Sequence, residues 1–347
     1  MNTPAPLRIG VLGCANIARA FVRDVAATAA VKVVAAASRD AAKAAAFAAE
    51  FGLARHHGSY EALLADTGID AIYLPLPNSL HAEWAVKAAA AGKHVLCEKP
   101  LATSLAEARA MFAAARQHGV LLLEAYPWWF QPQTGDLVAL LHGGAIGTVR
   151  LVQANFGFTL SRPDGNIRLA ADLGGGALLD AGSYPLSLVR LVMGSAPQRV
   201  TAEARWAGSG VDMGLSGTLL WDDGRRAQIE CSMDMAQHRH ATIVGTQGVI
   251  ETEYLNHTAD APGHPHHFLP SQMRLRRGTA NTVPFETVRS ATGSGFRFAA
   301  EAFARVVAAG DQRAIDDAAA ASLDIAATLE ALALSARRGA AVDLASL

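Results

Sequence analysis

Short, continuous apolar runs recur over the first 124 residues, each separated from the next by an amphipathic, alanine-rich stretch. Runs of this length without alternation are typical of strands buried on both faces of a parallel sheet. The stretches between them have a helical period, and Gly52, Gly92 and Gly119 stand where helices would end. The pattern predicts strands at residues 7–12, 31–37, 71–76, 94–97 and 120–123, and helices at residues 17–27, 41–51, 60–65, 80–91 and 105–118.

The pattern changes after Pro127, where apolar and polar positions begin to alternate. A period of two is typical of antiparallel strands with one buried face, and Asp222-Asp223-Gly224 is a hairpin-turn signal. The second pattern predicts strands at 148–158, 198–206, 213–221, 227–233 and 241–244, helices at 178–193, 296–308 and 314–336, and a long loop or irregular strand pair at 256–281.

These two patterns predict an α/β protein of two domains. Residues 1–126 form a Rossmann-type, doubly wound parallel sheet, because strands and helices alternate there. Residues 127–347 form an α+β domain with an open, mostly antiparallel sheet.

Composition narrows the class of partner. The formal net charge is -1 and the basic residues are scattered, so neither nucleic acid nor a membrane surface is an expected partner. The three cysteines have no disulfide or zinc spacing, and no uninterrupted apolar run is long enough to span a bilayer. The expected class is a cytoplasmic protein that binds a small molecule.

The loop after the first strand has the features of a phosphate-binding turn. Gly13 permits the tight turn, and the N–H groups of the next helix would bind a pyrophosphate. Alanine replaces the second and third fingerprint glycines, so a tight turn with no ligand is the alternative. The predicted cofactor contacts are Gly13, Cys14, Ala15, Asn16 and Ile17.

The end of the second strand carries Ser38 and Arg39, where a dinucleotide fold usually has an acidic residue for the ribose. The arginine fork can bind a 2′-phosphate, so both residues are predicted cofactor contacts and NADP is favoured over NAD. The alternative is an ordinary surface arginine. Asp40 is predicted to cap the helix that follows.

Lys99 directly follows the fourth predicted strand and precedes Pro100. Ligands bind at the carboxyl ends of strands in open parallel sheets, so Lys99 is expected in the cofactor crevice. It is the leading candidate for the chemistry of this chain. Glu98 is placed to contact the ribose or to orient Lys99.

Four motifs occur in an order that resembles a known family. They are the turn at residues 13–18, Pro77-Asn78-Ser79-Leu80-His81, Glu98-Lys99-Pro100-Leu101, and Gly174-Gly175-Gly176 followed by Asp180, Gly182 and Tyr184. Together they resemble the glucose-fructose oxidoreductase and inositol dehydrogenase (Gfo/Idh/MocA) family over nearly the whole chain. Tyr184 and residues 165–168 resemble its subgroup with NADP-dependent xylose dehydrogenase, dihydrodiol dehydrogenase and sugar 3-ketoreductases.

The resemblance implies an oxidoreductase with a nicotinamide cofactor and a homodimer or homotetramer formed through the sheet of the C-terminal domain. It also implies that Pro77, Asn78 and His81 contact the cofactor near the nicotinamide ribose, with Asn78 as a plain helix cap the alternative. The implied substrate is a monosaccharide, a keto-sugar or a related vicinal diol.

Hydride transfer at a carbinol carbon needs a group for the hydroxyl proton and a charge that stabilises the alkoxide. Tyr184 is the predicted acid/base, and Lys99 across the domain cleft would stabilise its phenolate. Asp180, four residues earlier on the same helical face, would orient Lys99 or a second substrate hydroxyl. The alternatives are a helix-start aspartate and a core tyrosine.

The predicted substrate contacts are Lys99, Arg168, Asp180, Tyr184, Trp128 and Trp129. The family segment that residues 124–132 resemble usually has arginine at the position of Trp129 and, in this subgroup, histidine at that of Gln131. The more aromatic pocket suits stacking on a sugar ring.

Two groups of histidines have features of a metal site: His238 and His240 on one strand face, and His264, His266 and His267 in a loop. No acidic or cysteine partner has ligand spacing, so no metal is predicted. Two other functions stay as alternatives. One is a non-catalytic regulator of the same fold that senses a nucleotide or sugar, and the other is an NAD-dependent glycosidase.

Overall fold

The structure is a computed structural model, which describes residues 5–260 and 268–347. It divides into two compact units. The first contains Met1–Ala102, Ala106–Pro127 and Ser294–Ser322, and the second contains Thr103–Leu105, Trp128–Gly293 and Leu323–Leu347. Apart from residues 103–105, the chain stays in the first unit up to Pro127, and it comes back to that unit through residues 294–322.

Strands and helices alternate in the N-terminal part. In chain order they are β1 Leu7–Leu12, α1 Asn16–Val25, β2 Val31–Ala37, α2 Ala41–Phe51, β3 Arg55–His57, α3 Tyr60–Leu64, β4 Ala71–Leu74, α4 His81–Ala90, β5 His94–Glu98, α5 Leu105–Gln117 and β6 Leu122–Ala125.

The C-terminal part is richer in strands. It contains α6 Pro132–His142, β7 Val149–Thr159, α7 Ser183–Met193, β8 Arg199–Trp206, β9 Asp212–Leu220, β10 Arg226–Ser232, β11 Asp234–Gly245, β12 Gly248–Thr252, β13 Gln272–Arg277, β14 Glu286–Arg289, α8 Gly295–Ala309, α9 Gln312–Arg338 and β15 Val342–Asp343.

The first unit has a six-stranded sheet in the order β3-β2-β1-β4-β5-β6, with every neighbouring pair parallel. The predicted doubly wound α/β sheet is confirmed. The order changes direction at β1 and β4, so the carboxyl ends of these two strands flank the crevice where such sheets bind ligands. Strand β4 ends at Leu74, two residues before its predicted end, because Pro75 has no N–H for the ladder.

Aromatic packing joins the C-terminal α8 to the first unit. Phe21 of α1 stacks on Tyr73 of β4 with ring centroids 3.8 Å apart. Phe296 of α8 meets the edge of Phe21 at 5.9 Å, and Phe303 on the same helix is fully buried in this core. Helix α8 therefore completes a core that the first 127 residues begin.

The second unit has a nine-stranded sheet in the order β14-β13-β12-β11-β7-β10-β9-β8-β15. All neighbouring pairs are antiparallel except β7 and β10. The predicted open, mostly antiparallel sheet is confirmed. Helix α7 packs on β7 and β10 through side chains that are buried along most of its length.

Some elements of the second unit were not predicted. Residues 272–277 form β13 within the segment predicted as a loop or irregular pair, between β12 and β14. The predicted loop also covers residues 261–267, which lie outside the described residues. Strand β11 begins at Asp234, seven residues earlier than predicted. The prediction missed this part of the strand because its residues are mostly exposed and lack an apolar pattern.

Helix α9 is, by length and composition, long and apolar enough to cross a membrane, and more than half of its most apolar stretch is buried. The buried side chains include Ile325, Leu329 and Leu332. Mostly buried core helices meet the same criterion, so this one helix is weak evidence for a membrane span.

Candidate active site

The turn between β1 and α1 is closely packed around Gly13. Its φ is 120°, a left-handed conformation that favours glycine, and a Cβ here would lie 2.7 Å from Cδ2 of Leu76. The Gly13 N–H donates to the Ala37 carbonyl at 3.0 Å. Cys14 is buried beside it, and burial raises the pKa of its thiol.

Ala15, Asn16 and Ile17 form the start of α1. Ala15 has extended backbone at the N-cap position and no side chain that could cap the helix, and the first turn has no acidic residue. Asn16 and Ile17 are exposed. The positive end of the helix dipole is thus presented to solvent without a capping side chain, which fits the pyrophosphate of a dinucleotide.

Ser38 and Arg39 follow β2 with opposite exposures. Ser38 is buried and its Oγ accepts from the Asp40 N–H at 3.2 Å, whereas Arg39 is exposed. Burial raises the pKa of the nearby Tyr60, and the charge of Arg39 opposes that rise. Asp40 caps α2 as predicted, since its Oδ1 accepts from the N–H groups of Ala42 and Lys43.

Asn78 lies in a single 3₁₀ turn, Asn78–Leu80, which Pro77 precedes. His81 follows at the start of α4 and is fully buried, with Nδ1 2.9 Å from the Pro100 carbonyl and Nε2 2.9 Å from the Leu76 carbonyl. Burial lowers its pKa, so the neutral ring donates to one of the two oxygens. His81 thus links the end of β4 to the segment that carries Lys99.

Lys99 is half-buried after β5, and the Lys99–Pro100 peptide bond is cis. The Tyr73 hydroxyl donates to Oε1 of buried Glu98 at 2.6 Å. Glu124 at the end of β6 accepts from the Leu101 N–H at 2.8 Å. Burial raises the pKa of Glu124 to about 7, against hydrogen bonds and the charge of Lys99, which lower it.

In the second unit, Asp180 pairs with Arg168. The Arg168 Nε lies 2.5 Å from the Asp180 Oδ2, with 40% of the Arg168 side chain and 18% of the Asp180 side chain exposed. Residues Leu178–Gly182 form a π-helical turn before α7 begins at Ser183. The Asp180–Tyr184 spacing therefore runs through a wider turn than the α-helix on which their shared face was predicted.

Gly175 and Gly176, before this turn, pack against the protein itself. A Cβ on Gly175 would lie 2.5 Å from the Arg168 carbonyl oxygen, and Gly176, at φ 114°, faces the Asp212 carboxylate. Asp212 accepts from the Leu178 N–H at 2.6 Å, and burial raises its pKa. The close backbone approach at these glycines is thus one between protein segments.

Tyr184 is buried, with 6% of its surface exposed, and meets the Phe156 ring edge-on at 5.2 Å. Its hydroxyl oxygen accepts a hydrogen bond from Nδ2 of Asn256 at 3.1 Å. The guanidinium carbon of Arg239, on β11, lies 4.6 Å from the Tyr184 ring centroid. Neither Arg239 nor Asn256 is among the site residues predicted from the sequence. The sequence did contain one signal for Arg239: it lies between His238 and His240, so in a strand its side chain is on the face opposite to theirs.

Trp128 and Trp129 stack with planes 7° apart and centroids 6.2 Å apart. Trp128 is buried to 1% exposure, and its indole N–H donates to the Ser187 Oγ at 3.0 Å, whereas Trp129 is half-buried. Gln131 is buried, and its Nε2 donates to the carbonyls of Asn256 at 2.7 Å and Gly293 at 2.9 Å.

The histidines of β11 contact neighbouring strand atoms. His238 Nδ1 lies 2.8 Å from the Ala236 carbonyl, and His240 Nε2 lies 3.3 Å from the Thr242 Oγ1. His264, His266 and His267 lie outside the described residues. Within residues 5–260 and 268–347, no group of three or more His, Cys, Asp or Glu side chains is arranged to hold a metal ion.

Each unit therefore brings part of the predicted set together. In the first unit, the phosphate turn, Ser38-Arg39, the Asn78 turn and Lys99 all follow carboxyl ends of strands in one parallel sheet. In the second unit, Arg168 pairs with Asp180, and Tyr184 lies among Phe156, Asn256 and Arg239.

Two family models match the chain. The oxidoreductase-family model with an NAD-binding Rossmann fold, GFO_IDH_MocA, covers residues 7–126. The GFO/IDH/MocA C-terminal domain model covers residues 134–251. Together they span both sheets described above.

Curated and solved proteins are similar along most of the chain. An NADP-dependent D-xylose 1-dehydrogenase of Haloferax volcanii is 38% identical over 346 residues, covering 97% of this chain and 100% of that protein. A 3-ketoreductase of Actinomadura kijaniata, solved with NADP and TDP-benzene, has a TM-score of 0.82 at 33% identity, covering 95% and 98% of the two chains. An aldose-aldose oxidoreductase of Caulobacter crescentus, solved with glycerol, has a TM-score of 0.85 at 27% identity, covering 97% and 99%.

Proposed function

The chain belongs to the Gfo/Idh/MocA family of oxidoreductases, and we propose that it transfers a hydride between NADP(H) and a carbinol or carbonyl carbon of a monosaccharide, keto-sugar or related vicinal diol. The observation that carries the proposal is the environment of Tyr184. Its hydroxyl oxygen accepts a hydrogen bond from Asn256, and a cation lies against its ring. A tyrosine in such surroundings suits proton transfer to and from a substrate hydroxyl.

The residues of the first unit would hold the cofactor. The uncapped start of α1 fits the pyrophosphate, and Arg39 fits the 2′-phosphate that distinguishes NADP from NAD. Asn78 and Glu98, at the ends of neighbouring strands, would contact the nicotinamide ribose. When bound, NADP(H) accepts or supplies the hydride.

Tyr184 takes the proton of the substrate hydroxyl during oxidation and returns it during reduction. Lys99 supplies a positive charge that stabilises the substrate alkoxide and the tyrosine phenolate. Asp180 and Arg168, already paired in the second unit, present an acceptor and donors to the other hydroxyls of the sugar. Trp129 offers an aromatic face on which a sugar ring can stack.

The first test uses the purified full-length protein. We expect mass spectrometry of any released nucleotide to find NADP(H), and nicotinamide absorbance to change when aldoses, keto-sugars and diols are supplied. A protein with no bound nucleotide and no absorbance change with any of these would contradict the proposal and favour a sensor. Release of a sugar from a glycoside without net cofactor change would instead indicate a glycosidase.

The second test assigns the roles. We expect Tyr184→Phe and Lys99→Ala each to lower kcat by about 100-fold or more, the usual contribution of an acid/base group, while the NADP(H) affinity stays close to that of the wild type. Lys87→Ala is the matched control, since Lys87 is an exposed lysine paired with Glu83 on α4. Wild-type rates in Tyr184→Phe or Lys99→Ala would contradict the assigned role.

Assembly and location stay predictions. The homodimer or homotetramer would form through the nine-stranded sheet, which light scattering of the purified protein would check. Location in the cytoplasm would be checked by cell fractionation.

A further inference from the structure

Arg239 is a cation enclosed by aromatic rings in the second unit. Its guanidinium carbon lies 4.4 Å from the Tyr254 ring centroid, 4.6 Å from that of Tyr184 and 4.9 Å from that of Phe156. Its Nε is buried without a hydrogen-bond partner among the described residues. Burying a charge in this way is costly, which argues for a specific use of the charge.

Asn256 connects this cation to Tyr184. The Arg239 Nη2 donates to the Asn256 Oδ1 at 3.2 Å, and the Asn256 Nδ2 donates to the Tyr184 hydroxyl oxygen at 3.1 Å. A guanidinium can only donate, so the Asn256 oxygen must face Arg239 and its amide N–H must face Tyr184. Arg239 thereby determines which end of the Asn256 amide meets the tyrosine.

The backbone around Asn256 is held from several sides. Gln131 donates to the Asn256 carbonyl at 2.7 Å, and the Tyr254 hydroxyl donates to the Asn155 carbonyl at 2.5 Å. Tyr254 has a φ of 38°, a left-handed conformation that is rare for a residue with a large side chain. Strained backbone held by this many contacts is typical of functional sites.

Among the described residues of the second unit that lie near Tyr184, Arg239 carries a charge that no opposite charge balances. Asp180 is paired with Arg168. Burial raises the pKa of Tyr254 and of the Cys231 thiol, so both are neutral at physiological pH. Burial lowers the pKa of Arg239, but a guanidinium stays protonated in proteins.

We propose that Arg239 and Asn256 are positioning residues for Tyr184. Asn256 gives the tyrosine oxygen a hydrogen bond that favours the phenolate and turns the hydroxyl proton away from the amide. Arg239 fixes the amide in that orientation and adds a permanent positive charge near the ring. The proposal rests on the function assigned to Tyr184 above.

The test compares the pH dependence of kcat for sugar oxidation, with D-xylose and NADP as probes, in wild type, Arg239→Met, Arg239→Lys and Asn256→Leu. We expect the rise of kcat with pH to move to higher pH by about one unit in Arg239→Met and Asn256→Leu, because the phenolate loses a charge or a donor. Arg239→Lys, which keeps the charge, should recover most of the shift. The KM for NADP should change less than twofold in all three.

Arg276→Met is the matched control. Arg276 on β13 is also half-buried, packs over Phe285 at 5.0 Å and has a buried Nε without a hydrogen bond in the described structure. Its variant should have the wild-type pH profile. A second readout needs no substrate: the ultraviolet-difference titration of each protein against its Tyr184→Phe version reports the ionisation of Tyr184 alone. Its midpoint should rise in Arg239→Met.

The outcomes separate this proposal from the proposed function. An inactive Tyr184→Phe together with wild-type profiles and midpoints in Arg239→Met and Asn256→Leu would overturn the positioning role and leave the function intact. A lower kcat at an unmoved midpoint would also overturn it, because a purely structural role predicts that result. If Arg239→Met does not fold, Asn256→Leu and Arg239→Lys decide by the same criteria. Wild-type activity in Tyr184→Phe would remove both proposals.

Discussion

In the proposed function, one exposed side chain, that of Arg39, determines the preference for NADP over NAD. It stands at the carboxyl end of β2, directly after buried Ser38. A hydrogen bond to a charged group contributes about 1.5–3 kcal/mol, so we expect Arg39→Ala to weaken NADP binding by roughly 10- to 100-fold. NAD, which lacks the 2′-phosphate, should lose less than threefold. Titration of each cofactor by fluorescence measures both values.

Arg23→Ala is the control for Arg39, because Arg23 is an exposed arginine in the last turn of α1. It should leave both affinities unchanged. An equal loss of NADP and NAD affinity in Arg39→Ala would mean that this arginine does not contact the 2′-phosphate.

Glu124 should make stability depend on pH. Its folded-state pKa is about 7, above the ordinary 4.5, so the folded protein keeps a proton that the unfolded chain releases. The free energy of unfolding is therefore largest below about pH 4.5 and falls as pH rises towards 7, by on the order of 3 kcal/mol from this group. Urea unfolding at pH 5 and pH 8 should show a smaller difference in Glu124→Gln than in wild type.

Glutamine keeps an oxygen for the Leu101 N–H, so the fold around Glu124 should persist in that variant. Glu61→Gln is the control, since Glu61 is exposed on α3. A pH difference that is the same in wild type and Glu124→Gln would show that Glu124 does not cause it.

The residues that sequence could not assign are those whose neighbours are distant in the chain. Asp40 was predicted as a helix cap because its partners lie within three residues. Arg239 meets Tyr184 through the pairing of β11 with β7 and the packing of α7 on that sheet. Asn256 lies in the segment after β12, and its contacts with Gln131 and Tyr184 reach residues that are more than 70 positions away in the chain. His238 and His240 have the spacing of a possible metal pair, for which no metal was predicted. The residue that contacts Tyr184 is the arginine between them.

Elements with one dominant signal were predicted to the residue. β1, β2 and α2 have the predicted bounds, because a buried parallel strand is uniformly apolar and α2 has both an aspartate cap and the C-cap glycine Gly52. The π-helical turn before α7 has no such signal. It depends on Gly182, where a Cβ would lie 2.9 Å from the Cys231 Sγ of β10.

Helix α8 is distant in sequence from the unit whose core it completes. A substitution in α8 can test whether it packs on that core. We expect Phe303→Ala, at a fully buried site in the same core cluster as Phe21, to lower the free energy of unfolding by about 3–5 kcal/mol. Hydrogen exchange measured by mass spectrometry should then accelerate in the peptides of β1 and α1. Phe298→Ala, at a half-buried position on α8, should have a smaller effect. Unchanged exchange in β1 and α1 would contradict the packing described here.

At the scale of the whole molecule, length and pattern predicted two bodies, and the structure has two compact units. The return of residues 294–322 to the first unit could not be predicted in the same way. An apolar helical face, such as that of α8, indicates that the helix is buried but does not indicate which sheet covers it.

That return affects the order of events during synthesis. The ribosome completes β6 long before it makes Phe296 and Phe303, the aromatic residues that pack near Phe21. At about 5–20 residues per second, the nascent nucleotide-binding sheet waits on the order of ten seconds or more for its last helix. During that time the core around Phe21 lacks the two aromatic side chains that α8 supplies, and transiently uncovered apolar surface of this kind favours aggregation.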